Sequence, residues 1–258
     1  MKFQNAQTRR TFLATFAGAS AMTLVACGGG SDNGSEGASD AAAGGTADAE
    51  KAEGVMTYQE YMDAAVNDEV TIEAYVQGKQ SWWENKATLY LQDADGGYFS
   101  FETSCTEEDY DKLVEGQKVK ITGYKADFEG EIEISDGTVE IEDGNFVAAA
   151  VDITDKLGTD ELINFQNQKV AFTGMTIEAS DNGEAFAYKG EEAGDDIYFK
   201  ASIDGATYDF TIEVYLTGPD TDVYKAVEGL KVGDTVDMEG FLYWYQGANP
   251  HITKVTVK

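Results

Sequence analysis

Leu113-Val114-Glu115-Gly116-Gln117-Lys118-Val119-Lys120-Ile121-Thr122-Gly123 is echoed by Leu230-Lys231-Val232-Gly233-Asp234-Thr235-Val236-Asp237-Met238-Glu239-Gly240. The two stretches lie roughly 120 residues apart, a spacing that marks a repeated folding unit. Each leaves a short helical segment and is broken by a glycine (Gly116, Gly233). Each then continues with alternating apolar residues to a second glycine, Gly123 or Gly240. Alternation of period two is the mark of a half-buried strand. A glycine inside such a strand marks a tight bend or a close backbone approach.

Working outward from the first copy, Thr57-Tyr58-Gln59-Glu60 has the pattern of a capping box and predicts an amphipathic helix from Tyr58 to about Val66. Val70, Ile72, Ala74 and Val76 alternate with Thr71, Glu73, Tyr75 and Gln77 in a first strand. Leu89 and Leu91 mark a second strand, and the turn Asp93-Ala94-Asp95-Gly96-Gly97 leads to a third over Tyr98–Glu102. Thr106 caps a brief helix through Leu113, Val119 and Ile121 open a fourth strand, and Ile132, Ile134, Val139 and Ile141 supply a fifth, kinked near Asp136-Gly137.

The second copy starts a strand at Val170 and Phe172 and turns at Ser180-Asp181-Asn182-Gly183. Ala185–Tyr188, Ile197–Ser202 and Tyr208–Leu216 all read as strands, so this unit carries an extra hairpin. Asp222–Val227 is its short helix and His251–Val257 its closing strand.

Three strands, a short helix and two more strands is the order of an oligonucleotide/oligosaccharide-binding (OB) barrel. The chain resembles this fold over about 65–145 and 168–258. The expectation is a mainly β protein of two small OB-like antiparallel β-barrels, each with a short helix, after a disordered linker. The units are 55–145 and 169–258, joined by an interdomain segment 146–168 that holds a strand end and one or two helical turns.

The beginning of the chain reads as an address. Arg9 and Arg10 precede an uncharged stretch from Phe12 to Ala26, too short and too rich in small residues to be a good spanning helix. It ends in Leu24-Val25-Ala26-Cys27, which resembles the lipobox of bacterial lipoproteins. That resemblance implies acylation of Cys27 and a place on the extracytoplasmic face of the bacterial membrane. The surroundings of Arg9 and Arg10 resemble a twin-arginine export signal; a general secretory signal is the alternative. Residues 1–27 are thus the expected signal, and 28–54, almost entirely Gly, Ala, Ser, Asp and Glu, a flexible acidic tether. The chain is also similar to bacterial lipoproteins with tandem OB-like domains, whose aromatics after the first strand resemble Gln77-Gly78-Lys79-Gln80-Ser81-Trp82-Trp83. This resemblance implies no activity.

Composition narrows the chemistry. The 258 residues carry 18 Lys+Arg against 48 Asp+Glu, a net charge of -30, with 2 Cys and 1 His. A disulfide scaffold, a Cys/His zinc site and a histidine-based triad therefore have too few residues to build on. Both arginines fall in the signal. Nucleic-acid recognition draws on Lys and Arg, so this balance sets the chain against such a partner.

The expected recognition surface is aromatic. Strands two and three and the loops beside them form the usual ligand face of an OB barrel. In the first unit that face would present Trp82, Trp83, Tyr90 and Tyr98, with Phe128 from the other loop. In the second unit Tyr243, Trp244 and Tyr245 occupy the fourth-to-fifth strand loop. Adjacent tryptophans in a strand or loop point oppositely, so at most one of Trp82 and Trp83 is buried. Exposed rings stack on sugars, bases or peptide aromatics; core packing at the barrel mouth is the competing role.

Asp93, Asp95, Glu102, Asp195 and Asp196 miss the spacing of a calcium loop, and an Asp-Gly turn explains the first two. Cys105 reads as a buried or half-buried residue and His251 as structural. No cofactor motif is present and no carboxylate pair is singled out for catalysis. The reading is a lipid-anchored, non-catalytic binding protein for a polysaccharide, peptide or surface protein. The rivals are a carboxylate-based hydrolase and a single-stranded nucleic-acid binder.

Overall fold

In the computed structural model, which describes residues 44–48, 50–190 and 192–258, the two echoed stretches take equivalent places in two barrels. Arg9, Arg10, Cys27 and the tether as far as Ala43 lie outside the described residues. No helix among the described residues is long and apolar enough to cross a membrane.

The first barrel is built from β1 (Gly44–Gly45), α1 (Tyr58–Asp63), β2 (Glu69–Lys79), β3 (Lys86–Gln92), β4 (Gly97–Ser104), α2 (Glu107–Lys112), β5 (Gln117–Phe128) and β6 (Glu131–Val147). Its sheet runs β1-β6-β4-β3-β2-β5 and closes through β6–β5. Strands three and five of the unit, β4 and β6, run parallel and the other neighbours antiparallel, which is OB topology.

β7 (Val151–Asp152) and two turns of 3-10 helix, Thr154–Lys156 and Leu162–Phe165, lead into the second barrel. This comprises β8 (Lys169–Glu178), β9 (Phe186–Tyr188), β10 (Ile197–Ile203), β11 (Ala206–Ile212), α3 (Val214–Thr217), α4 (Asp222–Glu228), β12 (Thr235–Phe241) and β13 (His251–Val257). Its order is β7-β8-β12-β13-β11-β10-β9, closed through β8–β10. The strand order repeats that of the first barrel, with β7 and β9 added at the edges. The protein is therefore mainly β, with two OB-like barrels.

Local chemistry accounts for the elements. The Thr57 side chain accepts from the Glu60 N–H while the Glu60 carboxylate accepts from the Thr57 N–H, closing the capping box. The helix stops three residues short of Val66. Lys125, buried on β5, donates from Nζ to the carbonyls of Tyr61, Met62 and Ala64 at 2.6–2.9 Å, neutralising the last turn. The strand expected over Tyr208–Leu216 ends at Ile212. Glu213 accepts from the Leu216 N–H at 2.7 Å and caps the helical turn α3, so Val214 and Leu216 follow helical spacing.

Each barrel has its own apolar interior. Ile72, Leu89, Leu91, Tyr98, Ile121 and Ile134 centre the first; Phe172, Ile177, Phe199, Phe210, Met238 and Ile252 centre the second. β2 is more deeply buried than its alternation predicts. Glu73, Tyr75 and Gln77 on its outer face are also covered. The cover is residues 44–48 and Lys51, together with the end of β6. Gly44 and Gly45 pair with Val147 and Phe146, the Asp48 N–H donates to Tyr75 Oη at 3.0 Å, and Lys118 binds Asp48, Glu73 and Glu142. The expected free tether is thus docked on the barrel from Gly44 onward.

The repeated glycines explain the repeat. At Gly123 a Cβ would stand 2.7 Å from the Ile134 side chain and 2.8 Å from the Ser135 carbonyl oxygen. At Gly240 it would stand 2.2 Å from the His251 carbonyl oxygen. Both sit at a register shift, Thr122/Tyr124 against β6 and Glu239/Gly240 against β13. Strand four can reach strand five there only without a side chain.

Gly240→Ala forces backbone apart and is expected to cost roughly 3 kcal/mol, lowering Tm by about 6–12 °C. Gly229→Ala, whose methyl would meet carbonyl oxygens at 3.4 Å or more, should stay near wild type. Thermal unfolding of the two variants side by side checks this.

Candidate functional site

The outward aromatic residues of β3 and β4 are Tyr90, Phe99 and Phe101, and Tyr90 faces Phe99 across the pairing. This is the ligand face of an OB barrel, and the second barrel closes it. Phe241 stacks on Tyr90 with centroids 4.6 Å apart and planes at 23°. Phe99 meets Tyr90 at 5.0 Å and Tyr243 at 5.2 Å, edge on, and Leu216 packs beside them. The Tyr90 hydroxyl shares a 2.7 Å hydrogen bond with His251 Nδ1, and the His251 ring stacks on Tyr243 at 4.4 Å. Burial pulls the His251 pKa down to about 3, so the imidazole in this seam is neutral.

A polar latch adjoins the aromatic seam. Glu131, fully buried at the start of β6, accepts through Oε2 from the Trp244 N–H at 2.8 Å and from Gln166 Nε2 at 3.3 Å. Gln166 also donates to the Gly130 carbonyl, and the Gln246 N–H donates to the Glu129 carbonyl at 2.7 Å. Desolvation lifts the Glu131 pKa to about 8 against the hydrogen bonds that favour its anion, so the group is largely protonated at neutral pH.

These contacts correct part of the expected platform. Tyr90 does lie on the ligand face, but a ring from the other barrel covers it, leaving 0% exposed. Tyr98 points inward: it pairs with Leu91, packs between Tyr58 and Tyr61 at 5.4 and 5.2 Å, and donates to Asp93 Oδ2. Neither can stack on a ligand. Tyr243 and Trp244 are half-buried in the seam, while Tyr245 stands 47% exposed beside Phe128. The two tryptophans divide as their adjacency predicts. Trp82 is half-buried and donates from Nε1 to the Cys105 carbonyl at 3.0 Å; Trp83 is 67% exposed.

The carboxylates and the thiol have structural roles. Asp93 Oδ1 accepts the N–H groups of Asp95 and Gly96, and its Oδ2 accepts from Tyr98 and Lys51, the Asp-Gly turn expected from sequence. Glu102 pairs with Lys86. Among the described residues no group of three His, Cys, Asp or Glu is placed to hold a metal ion. Cys105 is buried, and desolvation raises its thiol to about 11.

The corresponding face of the second barrel is open. Along β10, buried Ile197, Phe199 and Ala201 alternate with Tyr198, Lys200 and Ser202, which point away from the core. With the Ser180–Glu184 turn, β9 and Asp209 of β11, Tyr198 and Lys200 line a half-open groove of ≈ 850 Å³. Tyr198 is 40% exposed, and Phe186 and Tyr188 form the edge-strand side. Lys200 Nζ binds Asp181 at 2.8 Å and Lys189 Nζ binds Asp196 at 3.1 Å. Asp196 also accepts the Val214 N–H at 2.9 Å. Glu213 next to it has its pKa raised to about 7, by burial first and by the Asp196 charge second. The groove combines aromatic faces, paired charges and hydrogen-bonding groups, and so suits binding. The sequence signal for it was the alternation Ile197–Ser202 and the longer first connection of the second unit.

No family model matches the chain, and no curated protein matches it. Among solved structures it is similar to a murine DNA-binding protein bound to double-stranded DNA, at 12% identity and TM-score 0.35, over 73% of this chain and 96% of that one. It is similar to a replication protein A heterotrimer bound to single-stranded DNA at 12% identity and TM-score 0.30, over 74% and 49% of the two chains. A deletion mutant of the Thermus aquaticus single-stranded DNA-binding protein matches at 10% identity and TM-score 0.26, over 76% and 96%. These are OB-fold proteins, and the likeness is one of fold alone. Two of them carry DNA, which corrects the expectation that set this chain against a nucleic-acid partner. Net charge averages over the whole surface and does not decide what one groove of such a barrel accepts.

The latch sets a pH dependence. Unfolded, Glu131 ionises above about 4.5; folded, it holds its proton to about 8, so its contribution to stability is lost as pH rises through that window. His251 acts in the opposite direction at lower pH, its contribution being lost as pH falls from 6.5 toward 3. In Glu131→Gln the fall of Tm between pH 5 and 8 should be shallower than in wild type, as measured by thermal melts across that range.

Proposed function

We propose that this protein is a lipid-anchored, extracytoplasmic, non-catalytic binding protein whose ligand site is the groove on β9, β10 and β11. One observation carries the site: of two equivalent ligand faces, the first is sealed by Phe241 and the second is open and lined by Tyr198 and Lys200. The anchor rests on Leu24-Val25-Ala26-Cys27 after an uncharged stretch, with Arg9 and Arg10 as the export signal. Residues 28–43, rich in Gly, Ala and acids, then serve as the spacer between lipid and barrel. An acylated Cys27 carrying two or more chains would hold the domain stably on the bilayer.

The site is tested by probing glycan, peptide and oligonucleotide arrays with the full-length chain and with Tyr198→Ala. A ligand retained by wild type should lose about tenfold or more in affinity in the variant, while a control at exposed Tyr124 (Tyr124→Ala) leaves retention unchanged. Equal retention by wild type and Tyr198→Ala on every probe would rule the groove out. For the anchor, Cys27→Ser expressed in a bacterial host should move the protein from the membrane fraction to the soluble one.

A further inference from the structure

The groove has a continuation across the seam. At its end Lys189 binds Asp196, whose other oxygen accepts the Val214 N–H. The next residue, Tyr215, is 54% exposed, and its carbonyl accepts from the Ser81 N–H at 2.8 Å and from Ser81 Oγ at 3.3 Å. Ser81 belongs to the first barrel, and two residues on stands Trp83 at 67% exposure. Each link is a hydrogen bond or a step of one or two residues along the chain. Tyr198, the Lys189–Asp196 pair, Tyr215 and Trp83 thus lie on successive linked segments, from the open face of one barrel to the first loop of the other.

Trp83 is presented rigidly. Trp83 and Lys86 exchange backbone hydrogen bonds at 3.1 and 2.9 Å around Glu84 and Asn85, both at positive φ (49° and 61°). That is a type I′ hairpin, a stiff two-residue turn. The Cys105 N–H donates to the Asn85 carbonyl, and the Trp82 indole is tied to the Cys105 carbonyl. Tying Trp82 inward leaves its neighbour turned outward on a fixed loop.

The chemistry of the track points to a ligand class. Its aromatics are three separate rings, and both groove lysines are held by carboxylates of their own barrel. Asp209 and Glu184 add acceptors at the groove. Rings for C–H faces and carboxylates for hydroxyl groups match a polyhydroxylated chain. We infer that the groove is one end of an extended track, Tyr198–Tyr215–Trp83, that binds an uncharged, linear polysaccharide several sugar units long. This inference rests on the reading of the groove as the ligand site.

The test is titration of the full-length chain with neutral cello-, xylo- and chito-oligosaccharides of two to eight units, followed by calorimetry. Affinity for at least one series should rise with length, and Tyr198→Ala should weaken every length. Trp83→Ala should lower the ratio of long-chain to short-chain affinity about tenfold, and Trp83→Phe, which keeps a ring, should restore most of it. Binding lost in Tyr198→Ala but with no length dependence, or with a ratio unmoved in Trp83→Ala, overturns the track and leaves the groove standing. Binding of a peptide or an oligonucleotide alone, again lost in Tyr198→Ala, overturns the carbohydrate assignment. Binding that Tyr198→Ala does not alter removes the groove and the track together.

Discussion

The stack of Phe241 on Tyr90 decides how this chain uses two copies of one barrel. A large ring on the outward face of a small sheet either meets a ligand or must be covered, since apolar surface left in water is unfavourable. Here it is covered from within the molecule by the end of the other barrel's fourth strand. The cover includes Tyr243, His251 and Leu216, so one barrel's ligand face is turned into an intramolecular interface. Everything the chain still offers to a partner follows from which face was left over.

Titration of the seam reinforces this arrangement. His251 is held neutral, and Glu131 is largely so at neutral pH, each for the same reason: desolvation penalises the charged form. Because one is a base and the other an acid, their contributions fail at opposite ends of the pH scale. Two neutral polar groups at the aromatic seam help specify one docking geometry, since a slip parts the Trp244 N–H from Glu131 and the Tyr90 hydroxyl from His251.

Much of the fold was legible because it rests on local pattern. Gly123 and Gly240 stand at the same point of the repeat, and strand five approaches too closely there for any Cβ. Period-two alternation located the strands, and adjacency told that Trp82 and Trp83 would part, though not which of them would be covered. The site was less legible, for a non-local reason. Alternation correctly turned Tyr90 outward, but its cover comes from Phe241, some 150 residues later along the chain, and no local signal carries such a pairing. Tyr98 failed differently: an aromatic residue at a strand start fits either face until the register with Leu91 is known. The strand expected to reach Leu216 stopped at Ile212 because Glu213 competes as a helix cap, a side-chain effect that periodicity ignores.

The chemistry of the two faces argues that the second is not simply a docking face awaiting another barrel. On the corresponding strands the sealed face presents Tyr90, Phe99 and Phe101, whereas the open face presents Tyr198, Lys200 and Asp209. Sealing the second face with a hydrophobic partner would strip water from the Lys200–Asp181 and Lys189–Asp196 pairs. The desolvation cost of such pairs can exceed their Coulombic gain. A ligand that lies along the rings and leaves those pairs hydrated, or replaces their water with its own hydroxyl groups, avoids that cost. The sequence difference between the faces therefore agrees with the geometry: one copy's face is apolar and covered, the other's is polar and open.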